Sequence, residues 1–186
     1  WRVEGKRADF SAIGERFGVD PVVARVITNR GVAGENAISM YLEGDWDSMH
    51  DPALMKDMKE AGEIIREKLC DNRRIRIISD YDVDGVTSNY ILLLGMRRAW
   101  AELHGMEPDA CDIIDYDIPH RVHDGYGINI RLIDKAKADG VDTIITCDNG
   151  IAALDQVRYA KEQGLTVIVT DHHQIPFEED SDGTRT

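Results

Sequence analysis

The sequence predicts an α/β fold, a Rossmann-like, mainly parallel sheet with helices on both faces, preceded by a helical N-terminal extension. Two observations lead to this prediction. From Arg74 onward, short apolar segments rich in isoleucine and valine alternate with longer segments of helical character. This alternation is typical of a parallel sheet that is covered on both sides. Before Arg74, apolar residues recur at helical spacing and strand signals are absent.

Residues 1–70 are predicted to form the helical extension. Short helices are expected over Asp9–Phe17 and Pro21–Thr28, and the proline of the second suits a first helical turn. A longer helical segment is expected from Asp51 to Leu69, whereas Gly31–Asp47 is expected to be a looser linker.

Residues 71–186 are predicted to form the α/β domain. Four strands are expected, over Arg74–Ser79, Cys111–Ile118, Thr143–Thr146 and Leu165–Thr170. Three helices are expected between them, over Val86–Leu103, Ile128–Ala138 and Ala152–Gln163. Ligands of such sheets bind beyond the carboxyl ends of the strands, so residues that follow the strands are the first candidates for a site.

Composition and charge limit the functions that the chain can have. Its 186 residues are 42% hydrophobic and 31% charged, which is ordinary for a globular protein. The net charge of −13 argues against non-specific nucleic-acid binding by this chain alone, because such binding needs a basic stripe. It does not exclude a nuclease whose acidic residues hold metal ions. The sequence has no long apolar segment, no signal sequence and no cysteine pattern typical of disulfide bonds, so we expect a cytoplasmic protein without membrane contact. We also expect a monomer.

Three clusters of acidic and histidine residues follow the predicted strands. Asp80, Asp82 and Asp84 alternate directly after the first strand, and side chains at such positions of an extended segment point the same way. Three like charges side by side repel unless a cation compensates them, which predicts a hard divalent metal. The other clusters are Thr146–Gly150 and Thr170–His173. Because the carboxyl ends of parallel strands share one edge, the three clusters predict one metal site.

The types of donor predict the metal and its chemistry. Asp82, Asp84 and Asp148 offer oxygens and His172 offers a nitrogen, a set that suits Mn²⁺ or Mg²⁺ better than structural zinc. The carboxylates could bridge two ions roughly 3.5–4 Å apart, an arrangement that activates water and stabilises an in-line phosphoryl displacement. Phosphoester hydrolysis is therefore the predicted chemistry.

A further group of residues is predicted to bind the substrate. Backbone N–H groups at helix starts favour anions, which suggests phosphate contacts near Ser88 and Asn149, although ordinary helix capping explains these residues equally well. The segment after the second strand contributes the remaining candidates, Arg121, Gly125, Tyr126 and Gly127. The guanidinium of Arg121 could pair with a phosphate, and the ring of Tyr126 could stack on a base or sugar. A glycine-rich turn with a buried tyrosine is the alternative.

These motifs resemble those of the DHH phosphoesterase superfamily, which is named after the triplet that stands here as Asp171-His172-His173. Within it, the RecJ-type single-strand-specific exonucleases are the most similar. The likeness covers about residues 74–177 through four motifs in the family order: Asp80–Ser88, Ile118–Arg121 with Asp124–Gly127, Thr146–Gly150 and Val169–His173. The resemblance implies the N-terminal part of a metal-dependent 5′→3′ exonuclease that hydrolyses single-stranded DNA in repair and recombination.

The resemblance also implies roles for individual residues. Four residues match metal-ligand positions, namely Asp82, Asp84, Asp148 and His172. His173 matches the histidine that contacts the scissile phosphate, and Asp80 and Asp171 match supporting carboxylates of the catalytic site. Mn²⁺ or Mg²⁺ is the implied cofactor, with two ions in the complete enzyme. Residues 71–186 would then be a catalytic domain that is incomplete at its C-terminal end, with single-stranded DNA as the partner.

Two other functions remain open on the sequence. A phosphodiesterase of short oligonucleotides or cyclic dinucleotides would use the same metal site, although the segment Arg121–Gly127 favours the exonuclease. A non-catalytic scaffold would keep the fold and one ion at most. Ile78 points to the scaffold because many family members have a histidine at this position.

Overall fold

We describe the protein from a computed structural model, which covers residue 5 and residues 7–177. The acidic stretch 178–182 lies outside the described residues. The chain divides into two compact units, Trp1–Lys56 and Asp57–Thr186. Within the described part, no helix combines the length and the apolar character that crossing a membrane requires.

The first unit is helical. Its helices are α1 (Phe10–Phe17), α2 (Pro21–Asn29) and α3 (Glu35–Glu43), followed by the 3₁₀ turns Trp46–Ser48 and Pro52–Leu54. Asp9 and Asp20 cap α1 and α2, because their side chains accept hydrogen bonds from backbone N–H groups of the first turn. Helix α3 shows that the expectation of a linker over Gly31–Asp47 was wrong. Ile38 is buried, so packing favours a helix where the flanking glycines indicated a linker.

Helix α4 (Met58–Cys70) belongs to the second unit, whereas the sequence placed residues up to 70 in the extension. Its Ala61, Ile64, Ile65 and Leu69 lie in or against the core below the sheet. Helical spacing predicts that this apolar face exists but not which element it packs against. The boundary between the units therefore lies near residue 57.

The second unit contains the predicted parallel sheet. Its strands are β1 (Ile75–Ser79), β2 (Ile114–Asp117), β3 (Thr143–Cys147) and β4 (Thr166–Thr170). All neighbouring strands are parallel, in the order β2-β1-β3-β4. Its remaining helices are α5 (Val83–His104), α6 (Ile130–Ala138) and α7 (Leu154–Glu162). Each predicted strand, and each predicted helix between strands, agrees with these bounds to within three residues.

Helices cover both faces of the sheet. Alternate side chains of a strand point to opposite faces, and β1 follows this rule. Ile75 and Ile77 pack with Trp100 of α5 in one core cluster. Ile78 packs with Leu132 of α6 in another, which also includes residues around α7. The predicted fold class is confirmed.

The order of the strands creates a crevice between β1 and β3. Helix α5 joins β1 to β2 on one face, whereas α6 and α7 pack on the other face as the chain continues to β3 and β4. In open α/β sheets, ligands bind at the carboxyl ends of the strands where the direction of winding reverses. Asp80 directly follows β1 and Asp148 directly follows β3, so both acids stand at this reversal.

Candidate metal centre

Three carboxylates converge at the ends of β1 and β3. One oxygen from each of Asp80, Asp82 and Asp148 lies within 4.8 Å of the others, and we call this set the carboxylate group. Asp80 and Asp148 are buried, and Oδ1 of Asp80 has no hydrogen-bond partner among the described residues. Burying a carboxylate oxygen without a donor is unfavourable. A hard divalent cation would supply the missing partner, so the group fits a metal ion.

A second set of donors adds imidazole nitrogens. Asp148, His172 and His173 also place one ligand atom each within 4.8 Å of the others, and we call this set the histidine group. His172 Nε2 lies 2.8 Å from Asp148 Oδ1. Because Asp148 belongs to both groups, its carboxylate is placed where it could bridge two ions. The mixture of carboxylate and imidazole suits manganese better than a thiolate-preferring structural zinc.

The backbone around Asp148 fixes this residue at the junction. Its φ is +60°, a left-handed conformation that Asp and Asn adopt more readily than most residues. Its N–H donates to the carbonyl of Thr170, which ties the end of β3 to β4. Burial raises the pKa of the Asp148 carboxyl, His172 partly offsets this effect, and the nearby Asp82 carboxylate raises the pKa again. The negative charge at this point is therefore unfavourable unless a cation accompanies it.

Asp82 forms the start of α5. Its carboxylate accepts a hydrogen bond from the backbone N–H of Gly85 at 3.0 Å, and this bond holds the pKa of Asp82 below its usual range. A Cβ at position 85 would lie 2.4 Å from the carbonyl oxygen of Asp80. The helix can therefore begin against the end of β1 only because residue 85 is glycine.

Asp171 and His173 form a hydrogen-bonded pair beside the carboxylate group. His173 Nδ1 lies 2.6 Å from Asp171 Oδ1, and the backbone N–H groups of Ile151 and His173 both donate to the same carboxylate. Burial raises the pKa of Asp171, but these hydrogen bonds outweigh it and the pKa lies below its usual range. Asp171 in turn raises the pKa of His173. Because Nδ1 is held in this way, Nε2 of His173 is the nitrogen that can act on a ligand.

The segment after β2 lies against the same edge. The hydroxyl of Tyr126 donates to the carbonyl of Asp148 at 3.0 Å and lies 3.5 Å from His173 Nδ1. Burial, together with the surrounding carboxylates, raises the pKa of Tyr126 to about 12, so the phenol stays protonated. The guanidinium of Arg121 lies 4.4 Å from the ring centre of Tyr81, and Tyr81 meets Tyr126 edge to face. The structure thus brings Arg121 and Tyr126 to the edge that carries the acids.

Comparison with known proteins decides the family. The family model described as "DHH family, N-terminal domain" matches residues 74–184 of this chain. The chain belongs to the DHH family. Within the DHH domain, the matched range contains every residue of the carboxylate and histidine groups.

Two relatives of this chain are single-stranded-DNA-specific exonucleases named RecJ. The single-stranded-DNA-specific exonuclease RecJ of Bacillus subtilis (strain 168) is 34% identical over 175 residues, which are 94% of this chain and 21% of the relative. RecJ of Salmonella typhimurium is 35% identical over 155 residues, which are 82% of this chain and 24% of the relative. The chain therefore spans less than a quarter of the length of these two relatives.

Solved structures agree with the relatives. A crystal structure of exonuclease RecJ bound to manganese matches with a TM-score of 0.55 and 33% identity, over 66% of this chain and 29% of that one. RecJ of Thermus thermophilus in complex with Mn²⁺ also has a TM-score of 0.55, with 25% identity over 90% of this chain and 21% of that one. The resemblance inferred from the sequence is confirmed.

The DHH domain differs from the extended geometry that the sequence predicted for Asp80–Asp84. Helix α5 begins at Val83, three residues earlier than predicted, because Asp82 caps it. Asp84 consequently lies exposed in the first turn of α5 and belongs to neither group of candidate ligands. Asp80, predicted to be a supporting carboxylate, lies among the candidate ligands instead. The role of Asp84 as a ligand stays a prediction.

Asn149 was predicted to lie at a helix start whose backbone N–H groups contact a phosphate; that contact stays a prediction, and the structure gives its side chain another place. Its side chain is fully buried, with 0% exposure. Its amide group donates to the carbonyls of Ile78 and Cys147, and its Oδ1 accepts from the N–H of Ile128. Moreover, α7 begins only at Leu154, so no helix start lies at Asn149. Asn149 instead joins the ends of β1 and β3 to the segment that precedes α6.

The other predicted substrate residues have mainly local contacts. Gly125 and Gly127 have φ values of +77° and +66°, which favour glycine. A Cβ at Gly127 would also lie 3.1 Å from the Cβ of Asn149. The hydroxyl of Ser88 donates to the carbonyl of Asp84 within α5, and a contact of Ser88 with substrate stays a prediction.

Tyr81 was not among the predicted site residues, although it contacts two of them. Tyr81 lies between Arg121 and Tyr126, and the signal for it was an aromatic residue between two acids at the end of a strand. Ile78 is fully buried in the core cluster of α6. It is therefore a core residue that offers no ligand atom, and the scaffold function that it suggested is not tested by its burial.

Proposed function

We propose that this chain is the metal-binding N-terminal part of a 5′→3′ exonuclease that hydrolyses phosphodiester bonds of single-stranded DNA in repair and recombination. The observation that carries the proposal is Asp148, which is shared by two groups of candidate metal ligands in the crevice between β1 and β3. The names of relatives at 34% and 35% identity support the substrate class. Because the chain spans less than a quarter of these relatives, the activity is proposed for the complete protein.

The proposed cofactor is Mn²⁺ or Mg²⁺, with two ions in the complete enzyme. Asp80, Asp82 and Asp148 would hold one ion, and Asp148 with His172 would contribute to the other. Asp84, in the first turn of α5, is a further proposed ligand. When bound, the ions would supply an activated water and neutralise charge at the scissile phosphate. The manganese in the two similar RecJ structures favours Mn²⁺.

His173 is proposed to contact the scissile phosphate through Nε2. Asp171 holds Nδ1 at 2.6 Å, fixes the orientation of the ring and raises the pKa of His173. The imidazole therefore keeps its proton to higher pH and can donate it in a charge-assisted hydrogen bond to a phosphate oxygen.

Arg121 and Tyr126 are proposed to hold the rest of the strand. The guanidinium of Arg121 lies over the ring of Tyr81. We propose that its N–H groups donate hydrogen bonds to a phosphate of the strand. The hydroxyl of Tyr126 is held by the carbonyl of Asp148, so the orientation of its ring is fixed for stacking on a base or sugar. The monomeric state and cytoplasmic location expected from the sequence remain predictions, and light scattering would test the first.

The test is manganese-supported release of nucleotides from 5′-labelled single-stranded DNA by the complete protein. Asp148→Asn and His172→Ala are compared with Asp155→Asn, a matched control because Asp155 is exposed and pairs with Arg158 on α7. We expect Asp148→Asn to lower kcat by about a thousandfold, since the metal's contribution of several kcal/mol depends on this ligand. The control should keep the wild-type rate. Equal rates in all four proteins would reject the site.

The same assay separates the exonuclease from a phosphodiesterase of short oligonucleotides. A higher kcat/KM on a long single strand than on a dinucleotide is expected for the exonuclease. The reverse preference would favour the alternative.

A further inference from the structure

A pocket of about 450 Å³ adjoins the candidate metal centre. Tyr126, Asp171 and His173 line it, so the pocket shares these residues with the site described above. The remaining wall includes Ile128 and the turn between β3 and α7, together with Gln156 in the first turn of α7. This volume lies within the range of about 300–1,000 Å³ that is usual for small-ligand pockets.

Apart from His173 at its edge, the described part of the pocket lining has no group that would attract a phosphate. Among its described lining residues, none is lysine or arginine. Asp171 is the one acid, and its side chain is only 2% exposed because Ile151 and His173 occupy its oxygens. Ile128 and Ile151 add apolar surface. A neutral and largely apolar group with polar edges fits this lining, and a nucleobase with its sugar has that chemistry.

Gln156 and Tyr126 supply the polar edge and the aromatic surface that a nucleoside requires. Gln156 is half-buried, and its side-chain amide makes no hydrogen bond to another residue of the described part. An amide carries both donors and an acceptor, so it can bond to the edge of a base or to a sugar oxygen. Tyr126 offers a ring on which a base can stack.

The wall of the pocket is held in place before any ligand binds. The N–H of Ile151 donates to Asp171, and the N–H of Ala153 donates to the carbonyl of Gly150. Gly150 has a φ of +111°, and a Cβ there would lie 2.7 Å from Thr146 Oγ1. A wall that is already ordered loses little conformational entropy on binding.

We propose that this pocket is a nucleoside subsite, which holds the base and sugar of a nucleotide that adjoins the scissile phosphate. The inference rests on the proposed function, because His173 belongs both to the histidine group and to the pocket. A phosphate at His173 and the attached nucleoside in the pocket can therefore belong to one nucleotide. Gln156 is the residue that bonds to the nucleoside.

The experiment combines pocket variants with strands that lack one base. Ala152→Leu fills the pocket, and Gln156→Ala removes its polar edge. Gln163→Ala, at the end of the same helix and outside the pocket, is the matched control. The complete protein is assayed with Mn²⁺ on ordinary single strands and on strands with an abasic sugar at the first or second position.

On ordinary DNA, we expect both pocket variants to raise KM for release of the first nucleotide by about tenfold, the order of one lost base contact. On the strand that lacks the base bound in the pocket, the KM of the wild-type protein should also rise by about tenfold relative to its KM on ordinary DNA. The variants should then add nothing further, because each change removes the same interaction. Gln163→Ala should behave as wild type on every strand.

Three results would overturn the subsite. The first is a KM in both pocket variants that equals the wild-type KM. The second is a rise in KM from the variants that adds fully to the rise from the missing base, whether the first or the second base is missing. The third is weaker Mn²⁺ binding by both variants in calorimetry, which would assign the residues to the metal centre. A wild-type protein that does not cleave ordinary DNA would instead defeat the proposed function, so the two failures are distinguishable.

Discussion

Acidic side chains at the two ends of the sheet have opposite surroundings. At the amino ends of the strands, the guanidinium of Arg76 makes two hydrogen bonds of 2.7 Å to Asp115 and one of 2.8 Å to Asp139. Lys68 pairs with Asp142 at 2.7 Å. The acids at this end are thus matched by cationic side chains of the fold itself.

At the carboxyl ends of the strands, the acids converge without such partners. Asp80, Asp82 and Asp148 form no ion pair with lysine or arginine in the described part of the chain. Among the residues that the structure describes, His172 is the basic side chain paired with Asp148. The difference indicates which acids stabilise the fold and which require an exchangeable cation. Like charges that are brought together, partly buried and left without a fixed cation identify the functional end.

The largest expected effect is the stabilisation of the chain by metal. Mn²⁺ at about 100 times its dissociation constant should add about 2.7 kcal/mol to the free energy of unfolding, and EDTA should remove this gain. Asp80→Asn should lose most of the gain, whereas Asp139→Asn at the opposite end should keep it. Thermal unfolding with and without Mn²⁺ measures the difference. Equal gains in both variants would show that the carboxylate group does not bind the metal.

Removal of the fixed cation should have the next largest effect. Arg76→Met keeps an unbranched apolar stem in a buried position but leaves Asp139 without its hydrogen-bond partner and Asp115 with only the longer ion pair of 3.7 Å to Arg74. We expect a loss of about 2 kcal/mol in the free energy of unfolding, because both acids are partly exposed and recover some hydration. Urea unfolding measures this loss. The gain from Mn²⁺ should be unchanged, and a reduced gain would mean that the two ends are coupled.

Removal of a charged group at the carboxyl end of the strands should raise the free energy of unfolding, whereas Arg76→Met at the amino end lowers it. In EDTA, Asp148→Asn removes a buried charge next to Asp82 and places asparagine in a left-handed conformation that it adopts readily. The free energy of unfolding should therefore rise by about 1 kcal/mol, as is common when a functional site is relieved of strain. Urea unfolding of the metal-free variant checks this. A loss of stability would contradict the distinction between the two ends.

The sequence predicted the sheet and its functional edge because both depend on order along the chain. Apolar strands alternate with helices, and each cluster directly follows a strand, so the convergence of Asp80 and Asp148 follows from topology alone. The geometry of Asp84 could not be predicted in the same way. Alternate side chains point the same way only while the chain is extended. Because Asp82 caps α5, the extended segment ends before Asp84.

Contacts between segments that are distant along the chain could not be predicted from the sequence either. The helical spacing of α4 was recognised, but its packing on the sheet depends on residues far along the chain. Asn149 is an equivalent case at the site. Its sequence neighbours indicate a turn and a helix start, whereas its bonds to Ile78 and Ile128 appear only when three segments meet.

The smallest expected effect concerns the dependence of stability on pH at the amino end. The hydrogen bond from Arg76 holds the pKa of Asp139 below its usual range. The folded chain therefore keeps this carboxylate charged at a pH where the unfolded chain binds a proton. The stability that results is present above the ordinary aspartate pKa of about 3.9 and is lost as the pH falls through the lower folded value. Urea unfolding below about pH 5 should consequently show a shallower decline in Asp139→Asn than in wild type. An unchanged decline would mean that Asp115 alone stabilises Arg76, and that Asp139 contributes no fixed partner to this end of the sheet.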